Sequence, residues 1–229
     1  MGVRMIRRLR WLVCLVAGVP HMNMAGSSDG SAVLMVVTGA SYAASWKDPD
    51  IGGYRIVNRG VGGEETHQVL VRFDRDVLAQ KPAVALIWGH INNIHRAPPG
   101  EMARVKDGIR RDYLEMVRRA RANGIEPVLA TEVTLSEPPG LVNRAVALIN
   151  QLRGKVSYGA AVNGHVRDIN AWLRDYARQE GIRLLDFEKA LDDGNGFRRI
   201  EYTSGDGTHI SPEGYAVLTA LARERLKFD

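Results

Sequence analysis

At 229 residues, with 45% hydrophobic and 25% charged side chains, the chain has the make-up of one globular domain rather than of a disordered or fibrous protein. Four of the five excess positive charges are Arg4, Arg7, Arg8 and Arg10, and no acid occurs in the first 25 residues. The body of the protein is therefore nearly neutral, which argues against a polyanion such as nucleic acid as partner.

Those arginines precede an apolar stretch, Trp11 to Val19, followed by Pro20 and a polar segment. A basic region and then an apolar one of this length resemble a secretory signal peptide, and the apolar part is too short to span a bilayer as a stable helix. The cleavage motifs at Val16-Ala17-Gly18 and Asn23-Met24-Ala25 are imperfect, and Cys14 follows the bulky Val13. Residues 1–25 read either as a signal peptide or as a stretch upstream of a start at Met22 or Met24. The first reading puts the protein in the periplasm or outside the cell, the second in the cytoplasm. Residues 26–229 form the domain. Cys14 is the only cysteine, so no disulfide scaffold is expected.

Ala32 to Val37 is an apolar run that reads as a buried strand. It breaks at Gly39, and the small residues Ser41 to Ser45 can begin a helix. Lys47 to Gly53 carries Pro49 and two glycines, a loop, and Tyr54 to Asn58 is a second short strand. The turn Gly60-Val61-Gly62-Gly63 leads through Glu64 and Glu65 into a helix over His67 to Leu78. Lys81-Pro82 ends it, and Ala83 to Trp88 has the unbroken apolarity of a parallel strand covered on both faces. Glu101 to Asn123 is a clear helix, with Val105, Ile109, Tyr113, Met116, Val117 and Ala120 on one face. Ile125 to Val133 is the next strand. Ser136 to Asn163 reads as a long loop or short helix overhanging a site. Asp168 to Gln179 is a helix closed by Gly181, Ile182 to Phe187 a fifth strand, Asn195 to Thr208 a loop, and Pro212 to Leu226 the last helix. The alternation predicts an α/β fold, a parallel sheet between helices.

Four polar or glycine-rich stretches then fall at the strands' carboxyl ends or before the last helix. They are Gly39-Ala40-Ser41, Gly60 to Gly63, Gly89-His90-Ile91-Asn92-Asn93, and Asp206-Gly207-Thr208-His209. Taken singly, each has a plain reading: Ser41 is a helix cap, Asp206 caps a turn, and His209 merely precedes a helix. Together they place a serine, a base and an acid on the rim where open α/β sheets bind ligands. An Asp three residues before a His can hold the ring's Nδ1 and leave Nε2 to take a proton from a serine hydroxyl. His67, His90, His95 and His165 lack zinc-ligand spacing, so neither metal nor cofactor is expected. Gly60 to Gly63 is not followed by Gly-Lys-Ser/Thr, and Glu64-Glu65 would repel phosphate. Arg198 and Arg199 suit an anionic substrate, although such a pair is ordinarily solvated.

The set resembles the SGNH (GDSL-type) hydrolase family, whose hallmarks are Ser, Gly, Asn and Asp-x-x-His in four successive blocks. Asn58 to Gly63 is similar to the second block, and Asp206-Gly-Thr-His209-Ile-Ser-Pro-Glu-Gly-Tyr215 is a close match to the last. The resemblance implies a three-layer α/β/α sandwich with a mostly parallel five-stranded sheet, flavodoxin-like in plan. It implies Ser41 as nucleophile, His209 as base and Asp206 as its partner. The oxyanion hole it implies is the amides of Ser41 and Gly63 with the side chain of Asn92, Asn93 being the reserve. Two departures stand out: Ala40 where the family usually has Asp, and His90 where it usually has Gly. The function implied is a serine ester hydrolase working through an acyl-enzyme on small, acetyl-like esters, those of carbohydrates among them. An acyltransferase or thioesterase on the same site, or a non-catalytic binding module on the same fold, are the alternatives. The expected partner is a small-molecule ester, with no nucleic acid and no membrane span in the mature chain. The oligomeric state is open.

Overall fold

A computed structural model describes residues 32–137, 140 and 156–227, all within one compact unit, Ser31–Asp229. The leader, residues 1–25, and most of the expected overhanging segment lie outside the described residues. Five strands form one sheet: β1 (Val33–Gly39), β2 (Tyr54–Gly60), β3 (Val84–Trp88), β4 (Glu126–Ala130) and β5 (Arg183–Leu185). They are hydrogen-bonded in the order β2-β1-β3-β4-β5, and every neighbouring pair is parallel. Side chains from Met35 to Val37 and along the whole of β3 are buried, as a strand covered on both faces requires.

The helices are α1 (Ser41–Ser45), α2 (Thr66–Asp76), α3 (Ile91–His95), α4 (Met102–Ala122), α5 (Tyr158–Glu180), α6 (Phe187–Leu191) and α7 (Pro212–Arg225). One layer contains α2, α4 and α5, with Tyr113 of α4 edge-on to Trp172 of α5 at 6.4 Å. In the other layer Trp46, just past α1, packs edge-on against Phe187 of α6 at 5.5 Å and donates from Nε1 to Thr219 Oγ1 of α7 at 2.9 Å. The strand order reverses direction at β1. The carboxyl ends of β1 and β3 therefore flank the crevice where such sheets bind ligands.

The long helix α5 starts ten residues before the expected Asp168. Gly159 and Gly164 weaken its first turns as a sequence signal, but tertiary contacts hold them. Ser157 Oγ accepts from the Ala160 amide at 3.2 Å, a true N-cap. Asn163 grips the Leu135 backbone through both carboxamide atoms and donates to the Gly196 carbonyl at 3.1 Å. The fifth strand is shorter than expected because Asp186 leaves the ladder to cap α6 and to pair with Arg174 at 2.6 Å.

Two glycines are fixed by contact. A Cβ on Gly39, at φ +151°, would lie 1.6 Å from the Trp88 carbonyl oxygen. One on Gly60 would lie 2.3 Å from the Ala44 amide nitrogen, inside α1. Both absences let β1, β2 and β3 crowd together where the serine turn begins.

Candidate active site

Ser41 is the first residue of α1, half-buried at the carboxyl end of β1. A helix of five residues needs outside support, and Asn58 of β2 supplies it. Its Nδ2 donates to the carbonyls of Ala43 and Trp46 at 2.7 and 2.9 Å, while Oδ1 accepts from the Gly60 amide at 2.8 Å. Ala40 is buried, with its Cβ 3.2 Å from where Gly89 would carry one.

The turn before α7 brings Asp206 and His209 together. Asp206 Oδ2 lies 2.5 Å from His209 Nδ1, and Oδ1 accepts from the amides of Thr208 and His209, each at 2.9 Å. The Ser204 hydroxyl adds a bond at 2.5 Å. Ser204 first, then the His209 amide and ring and the Thr208 amide, hold the Asp206 carboxyl well below the usual range. An ionised carboxylate on Nδ1 keeps the proton on that nitrogen and leaves Nε2 as the basic one.

This turn is tied to the serine turn through Tyr42. The Tyr42 hydroxyl donates to the Thr208 carbonyl at 3.1 Å, its ring lies edge-on to His209 at 6.2 Å, and its own carbonyl accepts from Tyr215 Oη at 2.9 Å. Burial pushes the Tyr42 phenol up to about 12, so it stays a donor. Arg198 joins at the same carbonyl. Its Nη2 donates to Thr208 O at 2.7 Å, its Nε to Thr203 Oγ1 at 3.1 Å, and its guanidinium lies 5.8 Å from the centre of the Tyr42 ring. The expectation of a solvated or substrate-facing arginine pair is corrected for Arg198, which is 1% exposed. Two hydrogen bonds and a ring face hold the guanidinium inside rather than hydrated, with Nη1 left without a hydrogen-bond partner among the described residues. Arg199 behaves as expected, pairing with Glu201 at 3.1 Å on the surface.

On the other side of the crevice, Gly63 takes φ +79° in the turn after β2, and its carbonyl accepts from Arg96 Nη1 at 2.5 Å. Asn92, in α3, donates from Nδ2 to the Glu64 carbonyl at 2.9 Å, so it lies beside Gly63. Asn93 is buried and spends its carboxamide on Thr66, accepting from the amide at 3.0 Å and donating to Oγ1 at 3.2 Å. It is a tie between α3 and α2, which leaves Asn92 as the carboxamide at the turn.

Three supporting residues were not singled out from sequence. Arg72 of α2 is buried and bonds the carbonyls of Gly39 and Arg59 and the carboxylates of Glu64 and Asp76. Tyr42 is the second. Glu132, past the end of β4, is the third: its Oε2 accepts from the amides of His90 and Ile91 at 2.5 and 3.0 Å. An acid inside the apolar run Ile125 to Val133 was the available signal for it. Burial pushes its carboxyl up to about 7, opposed by those amides and by the amide of Val133. His90 is buried as well, and burial pushes its imidazole down to about 3, so the ring is neutral. Tyr113 lies edge-on to it at 6.1 Å, with its hydroxyl 3.5 Å from Nδ1.

Among the described residues no group of three or more His, Cys, Asp or Glu side chains is placed to hold a metal, and no helix is long and apolar enough to cross a membrane. A groove of about 410 Å³ between residues 46–50 and α7 contains none of the candidate site residues.

A parallel sandwich with an Asp–His turn, a serine turn and an Asn–Gly turn on one rim is a layout suited to acyl chemistry. The family model for GDSL-like lipases and acylhydrolases matches residues 29–217, and the chain belongs to that family, whose reaction is ester hydrolysis. It is 26% identical over 179 residues to the uncharacterized lipoprotein YqeF of Bacillus subtilis (strain 168), covering 75% of this chain and 73% of the relative. Among solved structures it is similar to a GDSL-like lipase from Bacteroides thetaiotaomicron VPI-5482, with a TM-score of 0.64 and 22% identity over 84% of this chain and 86% of the other. A catalytic mutant of an acetylxylan esterase from Geobacillus stearothermophilus superposes with a TM-score of 0.60 at 16% identity, over 87% of this chain and 96% of that one.

Proposed function

We propose that the protein is a serine ester hydrolase that works through an acyl-enzyme. The observation that carries this reading is the 2.5 Å contact between Asp206 Oδ2 and His209 Nδ1, on a turn bonded through Tyr42 to the turn that bears Ser41. A serine hydroxyl is a poor nucleophile until a base stands beside it. His209, oriented by Asp206, takes the Ser41 proton through Nε2 as Oγ attacks the ester carbonyl. Negative charge then builds on the carbonyl oxygen. The amides of Ser41 and Gly63 and the carboxamide of Asn92 are the donors for it, and one such fixed donor is worth about 2.7–4 kcal/mol. The tetrahedral intermediate collapses, the alcohol leaves with the proton from His209, and water repeats the cycle on the acyl-enzyme.

Small acyl groups, acetyl in particular, are the proposed substrates, with carbohydrate esters as the class. Likeness of fold to an acetylxylan esterase supports that class by analogy. The leader-like residues 1–25 and the relative described as a lipoprotein support export. The test is turnover of p-nitrophenyl acetate by Ser41→Ala. Loss of a triad serine is expected to lower kcat by at least about 10³-fold. Unchanged turnover would remove the mechanism.

A further inference from the structure

We propose that Glu132 replaces the acid that is missing at position 40, and fixes the turn presenting Asn92 from just past the end of strand β4 instead of from the serine turn. This rests on the reading of Asn92 as an oxyanion donor. It deepens that reading by adding a positioning residue, one that acts on the reacting atoms only through another group.

The family's first block ordinarily carries Asp where this chain has Ala40. The Ala40 Cβ is 3.2 Å from the point where Gly89 would carry one, so the serine turn and the turn that opens α3 are in close contact there. The two amides that follow, of His90 and Ile91, open α3, and both point at Glu132 Oε2. These are orphan donors of a helix start, and leaving them unmet inside the protein would be unfavourable. One carboxylate oxygen meets both.

The placement of Glu132 is itself fixed. Its amide donates to Asn170 Oδ1 and its carbonyl accepts from Asn170 Nδ2, both at 2.8 Å, so α5 clamps the backbone that carries the acid. The side chain is 1% exposed. The groups whose charge bears on it are Tyr113 of α4, Tyr42 of α1, Tyr215 of α7 and Arg198 of the last loop. Arg198 is a cation with no carboxylate within ion-pair distance among the described residues, and its field favours an ionised Glu132. A buried acid whose Oε2 holds the two amides ahead of Asn92, with the Val133 amide beside it and Oε1 without a hydrogen-bond partner among the described residues, has the placement of a positioning residue. A second acid at position 40 would then be a like charge beside the first, and one of them would have to stay protonated.

That predicts a reversal of sign. In the full chain, Glu132→Leu should lower kcat for p-nitrophenyl acetate about 100-fold, the loss of one oxyanion donor, with KM within about threefold. Hydrogen exchange at the His90 and Ile91 amides should quicken. Ala40→Asp alone should also lower kcat, yet the same substitution in Glu132→Leu should regain at least about tenfold and slow that exchange again. Glu132→Gln keeps one acceptor oxygen and should stay within about fivefold of the parent. Should Glu132→Leu not fold, recovery of a folded protein by Ala40→Asp is the supporting result and failure to recover it the overturning one. Exchange at residues 90 and 91 as fast in the double variant as in Glu132→Leu would overturn the proposal. That exchange comparison needs no turnover. Loss of the functional reading, seen as full activity in Ser41→Ala, is thus distinguishable from loss of this one.

Discussion

Arg198 shows how a single side chain joins the chemistry to the packing. Its charge is buried, its Nη2 meets the carbonyl of the residue before His209, and its Nε meets Thr203 on the strand-like stretch that bridges to Ile210. Arg198→Leu strips the Thr208 carbonyl of its charged donor and leaves Tyr42 as the remaining bond there. Hydrogen bonds to charged groups contribute about 1.5–3 kcal/mol each. The variant should lose about 3 kcal/mol of stability in urea denaturation, allowing for relaxation around the site. It should also lose activity beyond what the unfolded fraction explains, because the turn carrying the proposed base is no longer held from behind. Full activity per folded molecule would show that Arg198 only packs. The sequence showed this residue as half of an Arg-Arg pair, and nothing in such a pair says which member is buried. Burial there depends on Tyr42 and Thr208, which are distant in sequence and meet only in the fold.

Among the elements, the short helices α1 and α3 are the ones that matter and the ones least able to stand alone. Five residues are too few to be stable without outside bonds. Asn58 holds α1, and Glu132 with Asn93 holds α3. The support for α3 has an energetic consequence that depends on pH. Glu132 has its carboxyl raised from 4.5 to about 7 in the folded protein, mainly by burial. Between those values the folded state binds the proton that the unfolded state has released. Stability therefore falls as pH rises through that window, by about 3 kcal/mol at most. Glu132→Gln removes the titration. Urea midpoints from pH 5 to pH 8 should decline in the parent and decline less in the variant, which gains relative stability toward pH 8. Parallel curves would show that Glu132 does not titrate in this range. A site that is destabilising when charged but keeps its amides aligned is a familiar exchange of stability for function.

Over the whole molecule, much was legible. Apolar runs at Ala32 to Val37 and Ala83 to Trp88, in a strict alternation of short strands with helical patterns, give parallel strands, and the order of the four blocks gives the rim on which they meet. Ser41, Gly63, Asn92, Asp206 and His209 are each found at a strand end or on the loop before α7. The start of α5 was not legible, because its two early glycines are outweighed by contacts from Leu135 and Gly196 that no local pattern encodes. Nor was the framework beneath the site. Tyr42 and Glu132 bond backbone atoms of residues far away in the chain, Arg72 reaches the Gly39 carbonyl and Arg198 the Thr208 carbonyl, and a backbone partner leaves no mark in sequence. The same framework explains how the serine turn keeps its shape with alanine at position 40. Asn58, Arg72 and Tyr42 hold it from three directions, two of them from other elements.

The central claim is that Ser41 is activated on this framework, and covalent labelling tests it most directly. The parent protein and His209→Ala are treated with a fluorophosphonate, digested, and the modified peptide identified by mass spectrometry. The expected result is a single phosphonylated residue, Ser41, in the parent, with labelling slowed at least about 10³-fold when the base is removed. A parent protein that hydrolyses p-nitrophenyl acetate while Ser41 stays unmodified, or labels equally fast without His209, would contradict it.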